Sequence, residues 1–160
     1  MRTLFLFLFS CALITSGTFS QDLTVSAYFL QGEKSKDSHS SEESFAVSNS
    51  SVSYSVKYTG KKNKNQVDGE KTCVFTEQDI ANLRKSIETK ELNVNDSLFG
   101  EHYKSKSFEV YTNISLAIVM DGQEYNIRIN GDVKELDDSK LYKNTVFFLT
   151  MLRKMIEGCK

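Results

Sequence analysis

The sequence predicts an α+β protein: a four- or five-stranded, mainly antiparallel sheet with two amphipathic helices packed on one face. Three observations lead there. Residues 108–129 alternate apolar and polar positions around Asp121-Gly122, which is hairpin chemistry. An earlier stretch, Ser51–Tyr58, alternates in the same way. Two segments, beginning at Thr76 and Ser139, carry apolar residues at helical spacing instead. Strands with one apolar face need a cover, and the helices supply it.

The chain opens with an export leader. Arg2 precedes an apolar run from Leu4 to Ile14, and Thr15-Ser16-Gly17-Thr18 follows. Thr18 and Ser20 stand at the −3 and −1 positions of a cut before Gln21, a loose small-x-small site. Residues 1–20 therefore read as a cleaved secretory signal peptide and residues 21–160 as one globular domain, secreted or periplasmic. The apolar run is too short for a membrane anchor, which needs about 20 residues. Cys11 sits in a poor imitation of a lipobox, with bulky Phe9 before it and apolar residues after it.

Leu23–Leu30 is rich in β-formers and predicts the first strand. Gln31–Ser44 is almost wholly polar and predicts a mobile loop that contains His39. Val52, Tyr54, Val56 and Tyr58 share one face of the next strand, with Ser and Lys on the other. Lys61–Glu70 reads as a polar connection, and Thr72–Phe75 as a short strand pairing back. Thr76-Glu77-Gln78-Asp79 resembles a capping box and starts a helix that carries Ile80, Leu83 and Ile87.

The hairpin follows. Ile114, Leu116, Ile118 and Met120 lie on even positions, and Tyr125, Ile127 and Ile129 on odd ones. A two-residue Asp-Gly loop of type I′ pairs Met120 with Gln123, Ile118 with Tyr125, Leu116 with Ile127 and Ile114 with Ile129. That register puts the apolar residues of both strands on one face, so turn chemistry and patterning agree. The last helix runs from about Ser139 to Glu157, capped by Asp137, Asp138 and Ser139 and closed by Gly158. Leu141, Phe148, Leu149, Leu152, Met155 and Ile156 make its broad apolar face.

Composition narrows the function classes. The 20 basic residues include Arg2, so removing the leader leaves 19 against 21 acidic residues. That near-balance gives no electrostatic footing for nucleic acid or an anionic membrane. Proline is absent, which excludes PxxP ligands. Cys73 and Cys159 remain after processing, and an even count in an oxidising compartment predicts a disulfide. In the chain-entropy model a loop of that length implies about 4–5 kcal/mol.

The catalytic inventory is thin. His39 and His102 fall in expected loops, and a Cys73–His102 pair for thiol chemistry would compete with the disulfide. No GxSxG, HExxH, P-loop or GxGxxG sequence occurs. Asn130-Gly131-Asp132 with Glu135, Asp137 and Asp138 is acidic enough for calcium, but its spacing is not that of an EF-hand and capping accounts for part of it. No cofactor or metal is therefore expected. Asn49, Asn95 and Asn113 head glycosylation sequons. Gln66-Val67-Asp68-Gly69 is one residue short of the cystatin QxVxG spacing and supports no assignment to that family.

Phe147 and Met151 lie off the core face of the last helix. They are an expected apolar partner or ligand surface, weighed against a helix buried on both sides. The leading expectation is a small exported non-enzymatic protein that binds a partner through polar segments 31–44, 61–70 and 99–107. The alternative is a carrier of an apolar small molecule in a sheet–helix cavity. An enzyme ranks below both.

Overall fold

A computed structural model describes residues 22–33, 39–60, 63, 65–100 and 110–159. The leader, its cut before Gln21, Cys11 and His102 lie outside them. Ten elements follow in order: β1 (Leu23–Glu33), β2 (His39–Ser48), β3 (Ser51–Gly60), β4 (Gly69–Val74), α1 (Glu77–Thr89), β5 (Asp96–Phe99), β6 (Val110–Met120), β7 (Gln123–Asp132), α2 (Val133–Leu136) and α3 (Lys140–Gly158). The strands form one sheet in the order β4-β3-β2-β1-β6-β7-β5.

The α+β class holds, but the sheet is larger than expected and partly parallel. Two strands account for the difference. Residues 39–44, expected within a mobile loop, are the first half of β2 and pair on both sides, with β1 and β3. Their polarity hid them, because a run of Ser, Glu and His shows no apolar alternation. Residues 31–33 likewise extend β1. The other addition, β5, is only four residues long, too short to show a period. It runs parallel to β7, with Asp96 beside Ile127 and Phe99 beside Asn130.

The β6–β7 hairpin has the register that its turn dictates. Met120 faces Gln123, Ile118 faces Tyr125, Leu116 faces Ile127 and Ile114 faces Ile129. Asp121 and Gly122 have φ of 53° and 76°, the two positive values a type I′ loop requires. At the head of α1, the Thr76 side chain accepts from Asp79 N and the Asp79 carboxylate accepts from Thr76 N, completing the capping box. Ser139 caps α3, while Asp137 ends the short helix α2 that precedes it.

Both long helices lie on the same face of the sheet. Leu83 and Ile87 of α1 and Phe148, Leu149, Leu152 and Ile156 of α3 are buried. They pack with Val25, Ala27, Phe45, Val47, Leu116, Ile118 and Ile129 of the strands into one core. Arg84 of α1, only 8% exposed, ties the helix to the sheet. Its Nη1 donates to both Asp121 carboxylate oxygens at 2.9 and 3.1 Å, and its Nη2 to the Asp22 carbonyl at 3.0 Å.

Cys73 and Cys159 stand at disulfide distance, with Cα atoms 6.2 Å apart. They join edge strand β4 to the end of α3. Where the edge strands stop, side chains take over the open backbone. Asp68 Oδ1 accepts from Tyr58 N at 2.7 Å beyond β4, and Asn95 Oδ1 from Asn126 N at 2.8 Å beside β5.

The opposite, outer face of the sheet carries neither long helix. Strand parity assigns its residues: Thr24, Ser26 and Tyr28 on β1, Ser44 and Ala46 on β2, Ser53 and Ser55 on β3, Ser115 and Ala117 on β6. Among the described residues, no helix is long and apolar enough to cross a membrane.

Candidate functional site

The described residues of two polar segments singled out in the sequence, 31–44 and 61–70, meet at one end of the sheet, whereas 101–107 of the third lie outside the described residues. Along β1 the core-facing parity runs Val25, Ala27, Phe29 and then Gln31 and Glu33. Along β2, read backwards, it runs Val47, Phe45, Glu43 and then Ser41 and His39. Grease gives way to polarity on β2 at Glu43, beside Phe29, and one level later on β1 at Gln31, beside Ser41. Register sets Tyr58, Ser41, Gln31 and Thr112 in one row across four strands, and Gly60, His39, Glu33 and Val110 in the next.

These rows floor a cleft of about 350 Å³. Gln31, Ser41 and Tyr58 line it, with Glu33 and His39 at one side and Asn63 and Gln66 at another. His39 Nδ1 lies 3.6 Å from Glu33 Oε2, so a protonated His39 would sit beside a carboxylate. Asn63 and Gln66 are anchored. Asn63 Nδ2 donates to the carbonyls of Ser40 and Thr59, both at 3.0 Å, and Gln66 N donates to Asn63 O at 2.8 Å. Asn63 on the cleft wall is thus held by the strands it borders.

A buried charge cluster lies one row behind. Glu43, 6% exposed, accepts from Arg153 Nε at 2.7 Å, Arg153 Nη2 at 2.6 Å and the Tyr54 hydroxyl at 3.0 Å. Three donors on one carboxylate are what a buried charge requires. Burial, and next the neighbouring Glu43 charge, push the Tyr54 hydroxyl well above the ordinary tyrosine range, so it serves as a donor. The Tyr54 ring also packs on Phe45, centroids 5.0 Å apart. The cluster fixes α3 against β2 and β3 and thereby sets where the helix cover ends.

Other candidate residues are dispersed. Phe147 is half exposed, and the Lys90 ammonium lies 4.0 Å above its ring. Met151, four residues on, is partly buried against the core. The remaining large exposed apolar residues, such as Val67, Val74 and Phe99, sit on separate elements. Asp132 Oδ1 accepts from Lys134 N as the cap of α2, and among the described residues no three His, Cys, Asp or Glu side chains group as a metal site. Cys73 stands at disulfide distance from Cys159, and His102 lies outside the described residues. Of the sequon asparagines, Asn49 is exposed in the β2–β3 turn, Asn95 bonds Asn126, and Asn113 lies on the outer face.

The sequence singles out 31–44 and 61–70, which contribute to the cleft, but not Tyr58 or Val110, nor Gln31, Ser41, Asn63 and Gln66 as a group. A usable signal was present in the parity: a polar residue at the next core-facing position marks where the cover stops. No protein-family model matches the chain, and no curated protein matches it in sequence.

Proposed function

We propose that this chain is a small exported, non-enzymatic binding protein that engages its partner at the polar end of the sheet. The observation that carries the reading is the convergence of five chain segments, around residues 31–33, 39–41, 58, 63–66 and 110, on one anchored cleft. A cleft floored by strands and lined by amide, hydroxyl and imidazole groups suits a polar, hydrogen-bonding partner. Cysteines at disulfide distance are compatible with an oxidising, extracellular compartment, as the leader implies.

The test replaces side chains and keeps the strands, because residues 39–43 belong to β2 and their deletion would break the sheet. Ser41→Arg combined with Tyr58→Ala should abolish capture of partners from the medium of the native host. Phe147→Ser, on a separate surface, should leave capture unchanged. The same set of captured molecules with wild type and the cleft variant would defeat the proposal.

A further inference from the structure

The outer face of the sheet has a charge pattern that a solvated face does not need. One row across it reads Arg128, Ser115, Tyr28, Ser44, Ser55, Glu70, from β7 to β4. Uncharged residues fill its middle, and opposite charges stand at its two ends, both exposed. The neighbouring row repeats the uncharged middle with Ala117, Ser26, Ala46 and Ser53. Tyr28 is the large side chain among these small ones. The serines and alanines beside it leave a shallow depression of about 480 Å³.

We propose that this face joins two copies of the chain, related by a two-fold axis that runs along the strands between β1 and β2. That operation keeps each row at its own level and reverses its order. Arg128 of one copy then faces Glu70 of the other, and symmetry makes the pair twice. Tyr28 faces Ser44 and enters the depression of the opposite copy. Glu124 meets Val74, and Lys57 meets Asn113, so no like charges oppose each other. A two-fold across the strands would instead set Arg128 against Arg128, which the charges disfavour.

Size agrees with the proposal. Six strands about 4.8 Å apart and three rows about 7 Å apart give roughly 600 Å² of face per copy. Twice that reaches the lower end of stable interfaces, about 1,200 Å². Aligned sheets cross at about 30°, which moves the row ends by a few ångströms, within reach of Arg and Glu side chains. The polar cleft lies on the opposite side and stays open in the dimer, so this inference stands apart from the binding proposal.

The experiment is sedimentation equilibrium of the secreted full chain and four variants, with thermal melts to show that each is folded. Wild type should sediment at twice the chain mass at sub-millimolar concentration. Glu70→Arg and Arg128→Glu should each weaken association by at least about tenfold, since each sets like charges opposite twice. The double exchange, Glu70→Arg with Arg128→Glu, should restore it, and Ser44→Arg at the centre should abolish it. A wild-type monomer would overturn the proposal, whatever else binds the face. So would a dimer indifferent to Ser44→Arg and the single exchanges, or single exchanges that the double does not rescue.

Discussion

Glu43 of β2 and Arg153 of α3 form a two-bonded ion pair, at 2.7 and 2.6 Å, on the buried side of the sheet. The residues are 110 positions apart in sequence. Glu43 is the buried member of the pair, and a buried charge left without its counter-ion is costly. Arg153→Met should therefore destabilise the fold by about 3 kcal/mol, while Glu43→Met together with Arg153→Met should lie much closer to wild type. Urea unfolding of the two variants measures the difference. Equal losses in both would mean that packing, not the unpaired charge, dominates.

Tyr54 gives this cluster a pH signature. Its folded pKa lies above the unfolded value of 10.0, raised first by burial and then by Glu43. Above pH 10 the unfolded chain releases this proton and the folded chain keeps it. The folded state then binds more protons, so stability falls as pH rises. The contribution is whole below pH 10 and is lost above it. Urea midpoints should decline from about pH 10 upward in wild type. Tyr54→Phe should flatten that decline, although Tyr28 and Tyr142, also raised by burial, keep part of it.

Arg84 fastens α1 to the start of β1 and to the hairpin turn. Its Nη1 and Nη2 hold the Asp121 carboxylate and the Asp22 carbonyl. Arg84→Ala should cost about 2–3 kcal/mol by taking the charged donor from the Asp121 carboxylate and from the Asp22 carbonyl, which keeps only its 3.3 Å bond from Asp121 N. Asp121→Asn should cost less, about 1 kcal/mol, because asparagine tolerates the turn's positive φ and still accepts a hydrogen bond. Thermal melts rank the two, and the reverse order would show that the turn, not the guanidinium, is limiting.

Cys73 on the β4 edge and Cys159 at the end of α3 stand at disulfide distance across a separation of 86 residues. Replacing both with serine should lower stability by about 2–4 kcal/mol. Alkylation followed by intact-mass analysis should label neither sulfur before reduction and both after it. Labelling without reductant would show the pair to be open.

Gly131 of β7 and Gly100 after β5 lie backbone against backbone. A Cβ on Gly131 would stand 2.9 Å from Gly100 N and 3.0 Å from its Cα. Backbone cannot swing aside as a side chain can. Gly131→Ala should cost about 1–3 kcal/mol and loosen β5 first. Faster amide exchange at Ser97–Gly100, with β6 unchanged, is the expected reading.

What the sequence determined by itself is what local chemistry determines. Asp121-Gly122 selects a type I′ loop, the loop fixes the pairing parity, and the parity fixes which side chains of β6 and β7 are buried. Thr76 with Asp79, and Ser139 with the apolar period after it, place both long helices in the same local way. Tertiary structure decided the rest. His39–Glu42 carries no apolar period and becomes strand because β1 and β3 offer backbone partners on both sides. Asp96–Phe99 is too short to carry any period and is strand only beside β7. The polar cleft arises because register sets Gln31, Ser41 and Tyr58 of three strands in one row beside Asn63 and Gln66. The outer row from Arg128 to Glu70 is assembled from six strands whose order no local signal records. Hydrogen bonds between distant strands, and the reach of a helix across them, are long-range facts that short-range patterns do not encode.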